Sequence, residues 1–130
     1  MTELRIVVWQ FVRIMVQLET EASRSRQKGG GRRGLYASWR DAWQELDTKL
    51  TELGKTDHRA YSNLMMDQEV LLECATAADL ADLVQTVDRV IKRLGDMITR
   101  KQGKVKDLRF ELREMKTLRQ ELEAQVAEEG

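Results

Sequence analysis

From Ala77 to Val126 apolar residues return at alternating steps of three and four. One heptad register places Ala77, Leu80, Val84, Val87, Ile91, Leu94, Ile98, Lys101, Val105, Leu108, Leu112, Met115, Arg119, Leu122 and Val126 at its a and d positions. Thirteen of these fifteen are apolar, and only Lys101 and Arg119 depart from the rule. A seam that repeats every 3.5 residues on average belongs to helices that bury it against other helices. The seam also changes width. Leu83, Val90 and Met97 at g positions make it three residues wide before Ile98, whereas Lys104 and Glu111 narrow it to two afterwards. A wide stripe suits a helix packed in a bundle, and a strict a and d stripe suits a coiled coil.

Two glycines interrupt this run. Gly95 and Gly103 each cost about 1 kcal/mol relative to alanine inside a helix, and Arg100 with Lys101 would suit a helix C-terminus, so a hairpin at Gly103 competes with one unbroken helix. The unbroken helix is preferred, because the register passes both glycines unchanged and Lys104 and Lys106 are poorly placed for a new N-terminus. Its length from Ala77 would be about 80 Å at ~1.5 Å per residue. An arm of that length needs a partner helix, most economically the same arm of a second chain. Its seam would be Val105, Leu108, Leu112, Met115, Leu122 and Val126.

Upstream, Thr2 to about Arg26 reads as a helix with a narrow polar stripe of Gln10, Arg13, Gln17 and Thr20. Its many β-branched and aromatic residues make a strand over Arg5–Val16 the competing reading, but no second strand presents itself to pair with it. Lys28-Gly29-Gly30-Gly31-Arg32-Arg33-Gly34 then ends the helix, since four glycines in six residues oppose helical order. The heptad reappears as Tyr36, Trp39, Trp43, Leu46, Leu50 and Leu53, with Gly54 as the expected C-terminal cap. Asp57 or Thr56 can cap a further helix with apolar residues Tyr61, Leu64, Met65, Leu71, Leu72 and Ala75. Thr76 and Asp79 have capping-box spacing for the next one. The expected fold class is therefore all-α: an antiparallel helical bundle over residues 1–100, with a flexible basic glycine-rich loop at 27–34, and a coiled-coil arm over 101–130 that is continuous with it or hinged at Gly103.

Composition narrows the class without naming a reaction. At 130 residues the chain fits one domain. With 42% hydrophobic and 34% charged residues it is too apolar for disorder and too polar for a membrane protein. The 22 basic and 22 acidic residues cancel, so any electrostatic partner must be read from local patches. A single cysteine, Cys74, excludes an intrachain disulfide and points to a reducing, intracellular and by default cytoplasmic setting. The apolar stretch Ile6–Leu18 is too short and too interrupted to span a bilayer, so a membrane is a disfavoured partner.

Two local charge patterns stand out. Arg24, Arg26, Lys28, Arg32 and Arg33 carry five positive charges with no acid among them, on glycines that would let a phosphate approach the backbone. No Gly-Lys-Ser/Thr follows, so this is not a nucleotide P-loop, and a solvated linker is the plainer reading. Lys92 to Lys116 holds nine basic and four acidic residues, net +5, whereas Glu121, Glu123, Glu128 and Glu129 make the end of the chain acidic. That polarity could orient an antiparallel partner, or it could meet a nucleic-acid backbone through residues such as Lys101 and Lys104. Lys101 and Arg119 in the seam would fix register, with Glu111 and Glu114 as their anionic neighbours, or reach out to solvent.

Chemistry finds little footing. His58 stands beside a helix start, Cys74 reads as a buried thiol, and no zinc spacing, Glu-x-x-His pair or Gly-x-Ser-x-Gly occurs. Tyr36, Trp39 and Trp43 could stack on bases, but their face continues into leucines and reads as core. The methionines Met15, Met65, Met66, Met97 and Met115 read as gap-fillers rather than a peptide groove, and Phe110 lies outside the seam. No catalytic residue, metal or cofactor is expected. The sequence supports a non-enzymatic adaptor, scaffold or assembly chaperone, partnered by a second copy (a dimer foremost) or another helical protein. A nucleic-acid-binding accessory subunit is the alternative.

Overall fold

The computed structural model describes residues 2–27, 35–74 and 77–129. The order of elements is β1 (Thr2–Val7), α1 (Val8–Gln27), α2 (Leu35–Thr56), α3 (His58–Asp67), β2 (Glu69–Cys74), α4 (Ala77–Thr99) and α5 (Val105–Glu129). The protein is thus mostly helical, with one small antiparallel sheet that the all-α expectation did not contain. It divides into two compact units, Met1–Ala75 and Thr76–Gly130.

The first correction is at the N-terminus. Thr2–Val7 is a strand, and its partner is Glu69–Cys74, in register from Thr2 opposite Cys74 to Val7 opposite Glu69. The Val8 amide donates to the Gln68 carbonyl at 3.0 Å and extends the ladder by one rung. Both strands alternate with period two: Leu4, Ile6 and Leu72 are buried and Val70 half-buried, whereas Glu3, Arg5, Glu69, Leu71 and Glu73 are exposed. Glu3 lies directly opposite Glu73, a like-charge pairing that weakens a ladder, and Arg5 occupies the position diagonal to Glu73. The second strand escapes a helical reading of the sequence because Leu71 and Leu72 also fit a helix face. What ends α3 before them is Gln68, whose ψ of 154° is extended.

The first unit's core is aromatic. Phe11, fully buried, stands 6.1 Å from Trp39 and 6.2 Å from Trp43 between ring centroids, the second pair edge-to-face. The Trp39 indole N–H donates to the Glu73 carbonyl at 3.2 Å, tying α2 to β2, and the Trp43 indole donates to the Glu19 carboxylate on α1. Both indoles are buried, as a packing role requires, and their faces are not open as base-stacking platforms. The stripe expected to be wet on α1 is not: Gln10 is buried, Arg13, Gln17 and Thr20 are half-buried, and Val16 faces solvent instead.

Gly54 does not cap α2. The helix runs on to Thr56, and the Asp57 amide still bonds the Leu53 carbonyl at 2.8 Å. Asp57, with φ of −153°, then breaks the helix and caps α3, its carboxylate accepting from the Ala60 amide at 3.1 Å, as the sequence predicts. A single non-helical residue therefore joins α2 to α3. No described residue of α3 is fully buried, and Met66 is about half exposed.

In the second unit the helix from Ala77 is not continuous. It stops at Thr99, and after a short turn α5 packs back along α4 as a helical hairpin. The Gln102 amide bonds the Met97 carbonyl at 2.9 Å and the Lys101 amide bonds that of Ile98 at 3.1 Å, which is a Schellman closure. Lys101 takes the left-handed position with φ of +54°, and Gly103 follows at +106°. The uninterrupted register conceals this break, since the register of α4 resumes in α5 by coincidence of turn length. The seam of α5 thus finds α4 of its own chain as partner. A lysine at a left-handed cap is strained by about 1 kcal/mol relative to glycine. Lys101→Gly is accordingly expected to raise hairpin stability by about 1 kcal/mol, read from urea denaturation followed by far-UV circular dichroism.

Candidate interaction surface

The two heptad positions separate cleanly in the hairpin. Every described d position on a helix is buried: Leu80, Val87 and Leu94 on α4, Leu108, Met115 and Leu122 on α5. Leu83, Val90 and Leu118 at g positions join them. The a positions behave differently. Val84, Ile91 and Ile98 on α4 and Val105, Leu112 and Val126 on α5 are all half-buried, each keeping part of its surface in solvent. In an antiparallel pair the d and g positions of both helices lie on one side of the seam and the a and e positions on the other, so these six share a single face. Of the expected interaction residues, Leu108, Met115 and Leu122 belong to the core, whereas Val105, Leu112 and Val126 reach this open face. Val84, Ile91 and Ile98 complete it from α4; they stand in the same register, but their wide seam read as wholly buried.

The polar members of this face are fixed by one ion pair. Arg119, at an a position, bonds Asp88 on α4 and lies 2.8 Å from Glu123 one turn on. Its partners are therefore Asp88 and Glu123, not the expected Glu111 and Glu114, because antiparallel pairing brings α4 alongside. The hydrogen bond to Asp88 raises the Arg119 pKa above its usual value; burial opposes this, and the charges of Asp88 and Glu123 assist. A pair this open to solvent specifies register more than it stabilises. Two small residues, Ala81 and Gly95, are half-buried at e positions on the same face. A Cβ placed at Gly95 would meet nothing within 4 Å, so the face is open there.

Charge is distributed unevenly along the hairpin. The half nearer the turn, residues 90–115, holds eight basic residues against four acidic, net +4. The half nearer the open end, residues 77–89 and 116–129, holds three basic against seven acidic, net −4. Lys101 and Lys104 are exposed at the turn with Arg100 and Lys106. Phe110 is partly exposed on α5, with the Arg113 guanidinium 5.9 Å from its ring centre. Lys28, Arg32 and Arg33, and the glycine loop that carries them, lie outside the described residues, as does Thr76. Arg24 and Arg26 fall on the last turns of α1, and their side chains lie outside the described part.

Thr86 is the buried polar residue of α4. Its hydroxyl donates to the Asp82 carbonyl at 2.9 Å and accepts from Arg89 at 3.2 Å, so it is satisfied within its own helix. In the first unit an open groove lined by Leu46, Leu64, Val70 and Leu71 is flanked by Glu45, Lys49 and Glu69. His58 is exposed. Among the described residues no three of His, Cys, Asp and Glu converge as metal ligands would. Also among them, no helix is long and apolar enough to cross a membrane. Comparison with protein-family models, with curated proteins and with solved structures gives no match.

Proposed function

We propose that the protein is a non-enzymatic helical adaptor or scaffold, of the kind that includes assembly chaperones, and that it acts through self-association and protein binding by its C-terminal hairpin. The observation that carries this reading is the half-buried apolar face of Val84, Ile91, Ile98, Val105, Leu112 and Val126, crossed by the Arg119–Asp88 ion pair. A stripe of six aliphatic residues along two helices favours burial against another helical surface, at roughly 25 cal/mol per Å² removed from water. Size-exclusion chromatography with light scattering is expected to give a dimer. Ile91→Asp combined with Leu112→Asp is expected to give a monomer of unchanged far-UV circular dichroism, because both residues already border solvent in the single chain and a carboxylate there can reach water. A wild-type monomer at high concentration, unaltered by the pair, would sink the reading.

A second reading, contact with a nucleic-acid backbone, draws support from the exposed Arg100, Lys101, Lys104 and Lys106 at the hairpin turn. Phosphate contacts release counterions, so oligonucleotide affinity should fall steeply as salt rises. Replacing Lys101 and Lys104 by alanine should lessen both the affinity and its salt slope, and replacing Arg32 and Arg33 tests the loop in the same titration. Absence of binding at low salt would eliminate this reading.

A further inference from the structure

Resting on the self-association reading above, we infer that the partner of the open hairpin face is a second copy of this chain laid antiparallel, the turn of each hairpin over the open end of the other. Charge decides the direction. With net +4 in the turn half and net −4 in the open half, antiparallel copies set opposite poles together at both ends, whereas parallel copies set like poles together. Two small residues on the face fit the same direction. A two-fold axis crossing the hairpins at mid-length runs α4 of one copy against α4 of the other, centred on Asp88, the midpoint of Ala77–Thr99. Gly95 lies seven residues after Asp88 and Ala81 seven before it. Each Gly95 then meets Ala81 of the second copy, and these small side chains, one with open space above it, let the helix backbones approach closely.

Cysteine cross-linking tests the direction separately from the association. In a Cys74→Ser background, Ala81→Cys and Gly95→Cys chains are prepared singly, checked by circular dichroism, and oxidised alone or mixed. A disulfide needs Cβ atoms within about 4.5 Å. The mixture is expected to give a covalent dimer joining one chain of each kind, while neither chain alone cross-links. Cross-linking of either chain with itself would mean parallel copies and overturn the inference. So would a dimer by light scattering with no cross-link in the mixture, since the two positions would then lie apart; in both cases Ile91→Asp with Leu112→Asp still dissociates the dimer if the self-association reading stands, and leaves it intact if another face is buried. A monomer by light scattering removes both. The unsubstituted chain supplies a second measure: the dimer Kd should rise as salt goes from about 50 to about 500 mM, because screening weakens opposite poles. A falling Kd would indicate like poles together and overturn the inference.

Discussion

Phe11→Ala is expected to destabilise the first unit by about 3–5 kcal/mol, the usual cost of removing a buried phenyl ring and leaving its space unfilled. Phe11 is completely buried and packs against Trp39 and Trp43, and each aromatic contact adds about 0.5–1.5 kcal/mol to the lost area. Both indoles also carry hydrogen bonds that anchor α2 to β2 and to α1, so a rearrangement that filled the cavity would disturb those bonds. The cavity is therefore expected to persist, and a domain stabilised by about 5–15 kcal/mol would lose much of its margin. All three tryptophans, Trp9, Trp39 and Trp43, lie within Met1–Ala75, so tryptophan fluorescence in urea reports this unit alone. A midpoint as insensitive as that of Val16→Ala, at an exposed position of the same helix, would show that the three rings do not hold the unit together.

Where the sequence was legible, a period longer than two turns stood behind it. The α2 face of Tyr36, Trp39, Trp43 and Leu50 and the Asp57 cap are found as expected, because each depends on residues near in sequence. The strands were not legible. Six residues of β1 run directly into an apolar helix, and their alternation of Glu3 and Arg5 with Leu4 and Ile6 is too short to stand out from it. Its partner lies 62 to 72 residues along the chain, and pairing at that distance is a tertiary effect that no local pattern announces. The hairpin break was legible in its parts, Arg100, Lys101 and Gly103, but an unbroken register outweighed them. Two helices joined by a turn of suitable length preserve a heptad count as well as one helix does. The apolar face followed from that break: with α5 folded onto α4, the d positions are consumed inside the chain and the a positions keep part of their surface in solvent. Lys101, anomalous in a seam, is instead the left-handed cap of α4, and Arg119 meets a carboxylate that only antiparallel pairing brings near.

The hairpin's dependence on its d positions leads to the second large effect, expected for Val87→Asp. Val87 is fully buried at the middle of α4, and the amides around it are engaged in helical hydrogen bonds. Its neighbour Thr86 is tolerated because a hydroxyl can donate to the carbonyl four residues back; an ionised carboxylate has no proton to donate and finds no spare donor there. Desolvation of a fully buried acid raises its pKa by up to about 3–5 units, each worth about 1.4 kcal/mol, so a loss of roughly 4 kcal/mol or more follows at neutral pH. The sign of the pH dependence is set by that rise. Below about pH 4 the introduced carboxyl is neutral in the folded and unfolded chains alike, and the variant should match Val87→Asn. As pH climbs past about 4 the unfolded chain ionises first, so the variant loses stability relative to Val87→Asn until the raised folded pKa is reached. Far-UV circular dichroism of both variants in urea, at pH values on either side of 4, measures the gap. A constant gap would mean that the carboxylate at this position reaches water, and that the d-position seam is not the closed core on which the open face depends.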